Sequence, residues 1–299
     1  MSKIYARDAD YIRELVERGG PEPDDYDKLN ALFVRLGDLV RTGTANRKEA
    51  NRELWQLLGD AVSLQTMQGQ VAIKPNGYAG DYEIIDKIYT KWVSPEPLLA
   101  NWDHFFHSQA APNAVRNRKQ YFIELLKEIE KDNTKKFTVL SVGSGPGRDI
   151  YEFCSVNGTE RINFGCVDMD PNAIKYSKGV CREYSHLITF HCRNIFRYKA
   201  TESYDLMWAA GLFDYLDDGR FVFLLKHLHS MVNAGGCLII GNFSPFNPSR
   251  DYMEAGDWYL FHRNEEELYS LAKESGIKED NISIKSEQES VNLFMHITV

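Results

Sequence analysis

The sequence predicts an α/β fold: a mostly parallel sheet with helices on both faces, a terminal antiparallel hairpin, and an all-helical region before it. Three observations lead there. The first third of the 299-residue chain carries only helical periodicity. From Phe137 onward, short β-rich runs alternate with helical ones, which requires crossovers and therefore parallel pairing. The last two β-rich runs, NISIKSEQES and VNLFMHITV, have no helical run between them and should pair as a hairpin.

The elements follow in order. DKLNALFVRLGDLVR (27–41) places Leu29, Leu32, Phe33, Leu36 and Val40 on one stripe. NRELWQLLGDAVSLQTM (51–67) repeats the pattern with Leu54, Leu57, Leu58, Ala61, Val62 and Leu64. Asp81 can cap DYEIIDKIYTKW, where Ile84, Ile85, Ile88 and Trp92 form the next stripe. After Pro112, NAVRNRKQYFIELLKEIEK buries Val115, Phe122, Leu125, Leu126 and Ile129. The period then changes. FTVLSVG, INFGCVD, ITFHCR, YDLMWAAG and GGCLIIGNF read as strands. RDIYEFCSV, PNAIKYSKGVCREYS, DDGRFVFLLKHLHSMV and NEEELYSLAKESG read as the helices among and after them. Two domains are expected, 1–112 helical and 113–299 α/β.

Composition narrows the partners. A formal net charge of -8 opposes a nucleic-acid backbone as the main ligand, since that role favours a basic surface. Five scattered cysteines without a C-x-x-C pair read as buried, reduced thiols, with no structural zinc. His104, His107, His227, His229 and His262 lack companion acids or cysteines at ligand spacing, so no metal is expected. The N-terminal MSKIYARDADYIREL lacks the apolar core of a secretion signal, and the apolar runs are too short to span a bilayer. The expected location is the cytoplasm. No feature specifies an oligomeric state.

The informative stretch is VLSVGSGPGRD (139–149), a glycine-rich turn after an apolar β-branched run. A P-loop needs a lysine that is missing here. The dinucleotide fingerprint fails too, because its third small position falls on Arg148 and Pro146 removes a backbone donor. Gly143, Gly145 and Gly147 instead suit close passage of a small polar ligand end. INFGCVDMDP supplies the second part. Asp168, 25 residues after Gly143, is placed to accept both hydroxyls of a ribose, while Asp170 suits the cap of the helix begun by Pro171.

On these residues the chain from about Phe137 to Val299 resembles a class I S-adenosylmethionine-dependent methyltransferase. VLSVGSGPG resembles the superfamily's first motif, GCVDMDP the second, HCRNIF the third and YDLMWAAGLFDYL the fourth. The resemblance implies a Rossmann-like, seven-stranded sheet and S-adenosylmethionine as cofactor. By it, Gly143, Gly145 and Gly147 pass the methionine end and Asp168 holds the ribose. Asn194, Ile195 and Met169 frame the adenine, and Ser144 and Ala210 complete the cofactor set. Ser141 stands where an acidic residue often sits, so nearby carbonyls or another acid must neutralise the cofactor's ammonium.

Three further stretches, 73–89, 211–218 and 241–263, resemble a subgroup with a helical N-terminal region. It includes hydroxy-fatty-acid methyl ester synthases and lanthipeptide C-terminal carboxylate O-methyltransferases. This implies a peptide or acyl-chain carboxylate as acceptor, already anionic and in need of orientation rather than a base. Gly77, Tyr78, Gly80, Asp81 and Tyr82 form a loop-to-helix entry expected to close over the cofactor, with the helical region as its roof. Asp214 and Tyr215 follow the fourth strand, and Asn242 and Arg250 the fifth, at the edge where open α/β sheets bind ligands. Arg250 is the expected carboxylate anchor, with Arg118 and Arg263 as rivals. NFSPF (242–246) follows the wrong strand for the N-P-P-[FY] loop of DNA-methylating enzymes. The competing readings are a nitrogen or hydroxyl methyltransferase using Asp81, Asp214 or a tyrosine as base, and a non-catalytic cofactor-binding protein.

Overall fold

The structure, a computed structural model, describes residues 8–132, 135–157 and 161–299; the first seven residues of the leading stretch lie outside them. The chain passes through α1 (Ala9–Glu17), α2 (Tyr26–Arg41), α3 (Arg47–Leu58), α4 (Met67–Ile73), α5 (Tyr82–Thr90), α6 (Pro97–Ser108) and α7 (Ala110–Asp132). There follow β1 (Phe137–Val142), α8 (Arg148–Asn157), β2 (Ile162–Asp168), α9 (Pro171–Val180), β3 (Ile188–Cys192), β4 (Tyr204–Ala209) and α10 (Asp218–His229). The last elements are β5 (Val232–Phe243), α11 (Arg250–Ala255), α12 (Glu265–Glu274), β6 (Ile282–Ser286) and β7 (Asn292–Thr298).

Contacts divide these into two compact units. One takes the chain up to Asn113 with Asn247–Tyr259, and the other takes Ala114–Phe246 with Leu260–Val299. The sequence places 247–259 in the C-terminal domain; the segment clusters instead with the first unit.

In the first unit Leu29, Leu32, Phe33 and Leu36 of α2 are buried with Ile12, Leu54, Trp102 and Phe105, as the stripe predicts. The single helix expected over 51–67 is two. Gly59 takes φ +52, ending α3, and Thr66 restarts the helix by accepting the Gly69 amide at 3.0 Å. Leu64, expected inside, is therefore 52% exposed. Helix α11 is held by Arg41 to Asp251 at 2.6 Å and Arg47 to Glu254 at 2.7 Å. Trp55 Nε1 also donates to the Ala255 carbonyl at 3.0 Å.

The second unit is a seven-stranded sheet in the order β3-β2-β1-β4-β5-β7-β6. The first five strands pair in parallel, and β7 is antiparallel to both β5 and β6. This is the Rossmann-like sheet with a terminal hairpin that the sequence predicts. Successive residues of a strand face opposite ways. Leu140, Met207, Leu224 and Leu228 thus belong to one core cluster, and Val139, Trp208, Phe122, Phe153 and Phe294 to the other. Because β2 and β4 flank β1, the strand order reverses at β1/β4, and a crevice opens outside the carboxyl ends of those strands. Cys154, Cys166 and Cys181 are buried thiols; Cys192 and Cys237 are only half-buried, short of the burial expected for all five. Among the described residues no helix is long and apolar enough to cross a membrane.

Candidate functional site

The glycine turn lies at the crevice. Gly143, Gly145 and Gly147 have φ of +62, +52 and +69, a region costly for any residue with a Cβ. The Gly143 and Ser144 amides both donate to the Val167 carbonyl, at 2.9 and 3.2 Å, tying the turn to β2. The three glycines have separate tasks. A methyl at Gly145 would meet nothing within 4 Å, so the space above it is open. One at Gly147 would overlap the Ser177 hydroxyl and press on Cys181 Sγ at 3.2 Å. Gly147 therefore lets α9 pack against the turn.

Asp168 closes the other side. Its Oδ2 accepts the Gly145 amide and its Oδ1 the Asp170 amide, each at 3.0 Å. Burial raises its pKa, and those backbone bonds oppose the rise. Each oxygen keeps a lone pair for a further donor, the requirement for holding two vicinal hydroxyls. Asp170 caps α9 by accepting the Asn172 amide at 2.8 Å. Met169 is 69% exposed beside Asp168. Asn194 is exposed too and accepts the Phe196 amide at 2.9 Å. The Arg193 amide, donating to the Asp168 carbonyl at 2.9 Å, keeps this turn next to Asp168. Ile195 packs its side chain into the core. Ser144 is buried with its hydroxyl toward the Cys166 thiol.

At the end of β4, the buried Ala210 carbonyl accepts Arg118 Nη1 of α7 at 2.8 Å. Asp214 is buried nearby; its Oδ1 accepts the Phe243 amide at 2.6 Å, and its carbonyl accepts the Phe261 amide at 2.7 Å. Burial pushes its carboxyl up to about 6, opposed by the Phe243 amide and by the Arg118 and Arg263 charges. Asn242 has no exposed surface; its amide donates to the Phe243 and Phe261 carbonyls, and its Oδ1 accepts Arg263 Nη1 at 3.0 Å. Arg263 also donates to the Leu216 carbonyl at 2.6 Å and to Asp218 at 2.8 Å, over the Phe221 ring. Asn242 and Arg263 are thus committed to an internal clamp, not presented to a ligand. Tyr215 stays 36% exposed.

The remaining candidates lie in the first unit. Asp81 caps α5, accepting the Glu83 and Ile84 amides at 2.9 Å each, while Asn76 donates to its other oxygen at 3.1 Å. The cap expected from sequence is present, and it occupies the carboxylate. Tyr82 places its hydroxyl 3.5 Å from Asn76 Oδ1, and Tyr78 is 40% exposed. Arg250 lies on α11 and pairs with Glu254 at 2.8 Å. The sequence reading missed Asp149, on the first turn of α8. It is 8% exposed, and burial raises its carboxyl to about 6 against the Arg118 charge. Its position directly after G-P-G-R was the available signal.

Residues 139–236 match the model of a methyltransferase domain. No curated protein matches the chain. A solved structure from Bordetella parapertussis, named as a possible exported protein, shares 16% identity over 99% of this chain and 98% of that one, with a TM-score of 0.67. A candidate O-methyltransferase from Nostoc punctiforme shares 15% over 80% and 71%, at 0.52. The magnesium protoporphyrin IX methyltransferase of Synechocystis, solved with SAH, shares 12% over 64% and 87%, at 0.50. These likenesses concern the fold. The α/β unit has the Rossmann-like fold of the methyltransferase structures. The open space over Gly145 and the two spare lone pairs of Asp168 fit S-adenosylmethionine, the cofactor the resemblance implies.

Proposed function

We propose that the protein is an O-methyltransferase that forms a methyl ester on a carboxylate, either the C-terminus of a ribosomally made peptide or the acid of a hydroxy-fatty acyl chain. When bound, S-adenosylmethionine supplies a methyl group activated by the positive charge on its sulfur. Asp168 fixes the ribose, and the turn at Gly145 gives the ligand room to cross β1. The acceptor oxygen has to meet the methyl at roughly 3–3.5 Å, in line with the sulfur.

The observation that supports a carboxylate is the condition of the acids at the edge of β4. Asp214 is buried and already receives the Phe243 amide, so it is poorly placed to take a proton from an incoming group. A carboxylate acceptor has no proton to give up at neutral pH, and its reaction needs orientation alone. Its negative charge is consumed as the ester forms.

The same residue supports a second reading. A carboxyl raised to about 6 has the basicity of a general base at neutral pH, which suits an amine or hydroxyl acceptor. Incubation with methyl-labelled cofactor and paired substrates separates the two. The pairs are a peptide with a free or amidated C-terminus and a hydroxy-fatty acid with its alcohol analogue. The proposal expects label only on the free acids, released by mild base. Base-resistant label on amidated peptide or alcohol overturns it in favour of the second reading.

A further inference from the structure

Three exposed aromatic rings sit on segments that meet at the carboxyl edge of β4 and β5. Tyr215 follows β4. Phe246 follows β5 and is 78% exposed, and Phe261, on the segment leading into α12, is 50% exposed. Asp214 joins the three segments. Its carbonyl accepts the Phe261 amide at 2.7 Å, and its Oδ1 accepts the Phe243 amide at 2.6 Å. By bond lengths alone, the first contact keeps the Cα atoms of Tyr215 and Phe261 within about 7 Å. Single exposed rings are ordinary on a protein surface, whereas several pinned to one carboxylate beside a cleft mark a binding face.

This face is set in advance. The Phe261 ring rests on the Arg263 guanidinium, 5.4 Å from the ring centre, and Arg263 is itself fixed by the clamp described above. The Phe246 backbone is held by its amide, which donates to Ser244 Oγ at 3.2 Å. That hydroxyl in turn donates to the Ser290 carbonyl at 2.7 Å.

The backbone around the rings selects the ligand. The Tyr215 amide donates to the Leu212 carbonyl, that of Leu216 to Phe213, that of Ser244 to Val291 and that of Arg263 to Phe243. The amides of Phe243, Phe246 and Phe261 are spent as above, and Pro245 has none. A peptide laid across these residues finds no main-chain donor among them for its carbonyls. A hydrocarbon chain needs none, and gains by covering the rings.

We propose that Tyr215, Phe246 and Phe261 seat the hydrocarbon chain of the acceptor, which makes the acceptor a long-chain acyl acid rather than a peptide terminus. The nature of the acid end rests on the carboxylate reading above; the seat depends only on the chain.

The test is calorimetric titration of the full chain, without turnover. The probes are hydroxy acids of six, eight, ten and twelve carbons, below their micellar concentrations, and the matching diols, which carry an alcohol in place of the carboxylate. Affinity should rise about 2- to 4-fold per methylene in both series, the upper figure corresponding to full burial of each group. F246A removes a ring that is mostly in solvent, so it should keep the melting temperature and flatten the rise. F261A should flatten it too, and F246L and F261L should recover most of it. Diols that bind as well as the acids at every length overturn the carboxylate reading and leave the seat standing. No binding, affinity independent of length, or a slope unchanged in both alanine variants overturns the seat. So does a free C-terminal peptide that outbinds the twelve-carbon acid and is weakened by F246A, which would give the rings to a peptide. Self-association of the wild type in sedimentation that F246A abolishes overturns it as well, because the rings would then join two copies of the chain.

Discussion

Asp168 holds the glycine turn directly: its Oδ2 accepts the Gly145 amide at 3.0 Å, joining the end of β2 to the turn after β1. The residue that would grip the ribose is also the one that shapes the passage beside it. Asp168→Asn keeps an acceptor and the side-chain size but loses the charge and half of the accepting capacity. Affinity for S-adenosylhomocysteine should fall at least 10-fold, by the weight of one charge-assisted hydrogen bond, with little change in melting temperature. Calorimetry and thermal unfolding on the same sample check both. Unchanged affinity would remove Asp168 from the site.

The glycines should separate by phenotype. Gly145→Ala places a methyl in open space at φ +52, so its folding cost is the left-handed strain, about 1 kcal/mol. Ligand affinity should suffer more than stability. Gly147→Ala adds to the same strain an overlap with Ser177 and should lower stability well beyond Gly145→Ala. Adding Ser177→Ala should restore part of that loss. Urea unfolding of the three variants decides it: equal midpoints for the two single variants would contradict the division of labour.

What the sequence reveals about the site follows the range of the interactions. The turn and Asp168 are legible because strand, glycines and acid are local signals at fixed spacing, and the β-branched runs from Phe137 bound the strands cleanly. The break at Gly59 is hidden because the apolar stripe continues across it in sequence while the backbone turns away. Helix α11 is six residues long, and Asp251 and Glu254 find Arg41 and Arg47 across 210 and 207 residues. No local pattern encodes such pairs. Arg118 and Ala210 are likewise 92 residues apart. Helical periodicity marks Val115 and Phe122 as core and gives no sign that Arg118 between them is buried as well.

Arg263 should prove structural. Its guanidinium is buried and bonded to the Leu216 carbonyl, Asn242 and Asp218. Arg263→Ala leaves those acceptors unpaired and should cost about 3 kcal/mol. Its partner Asp218 has a side chain 73% exposed, so Asp218→Ala should cost less than about 1 kcal/mol. Denaturant titration of the two variants gives the comparison, and equal losses would mean that the salt bridge, not the buried clamp, carries the effect.

The pH dependence of stability contains opposed contributions with assigned signs. Burial raises the Asp149 carboxyl from 3.8 to about 6. Between those values the folded state binds the proton and the unfolded state has released it, so this group makes stability fall as pH rises through that window. His296 acts the other way. Burial first, then the Lys285 charge, lowers its pKa from 6.5 to about 4, so its contribution to stability grows as pH rises from about 4 to 6.5. The wild-type slope mixes these with other buried acids such as Asp214, but the difference between Asp149→Asn and wild type isolates Asp149. The variant cannot ionise, so its stability relative to wild type should be higher at pH 7 than at pH 4, with the change centred between 4 and 6. Urea midpoints across that range measure it. A difference independent of pH would show that Asp149 ionises equally in both states and that its burial on α8 imposes no charge penalty.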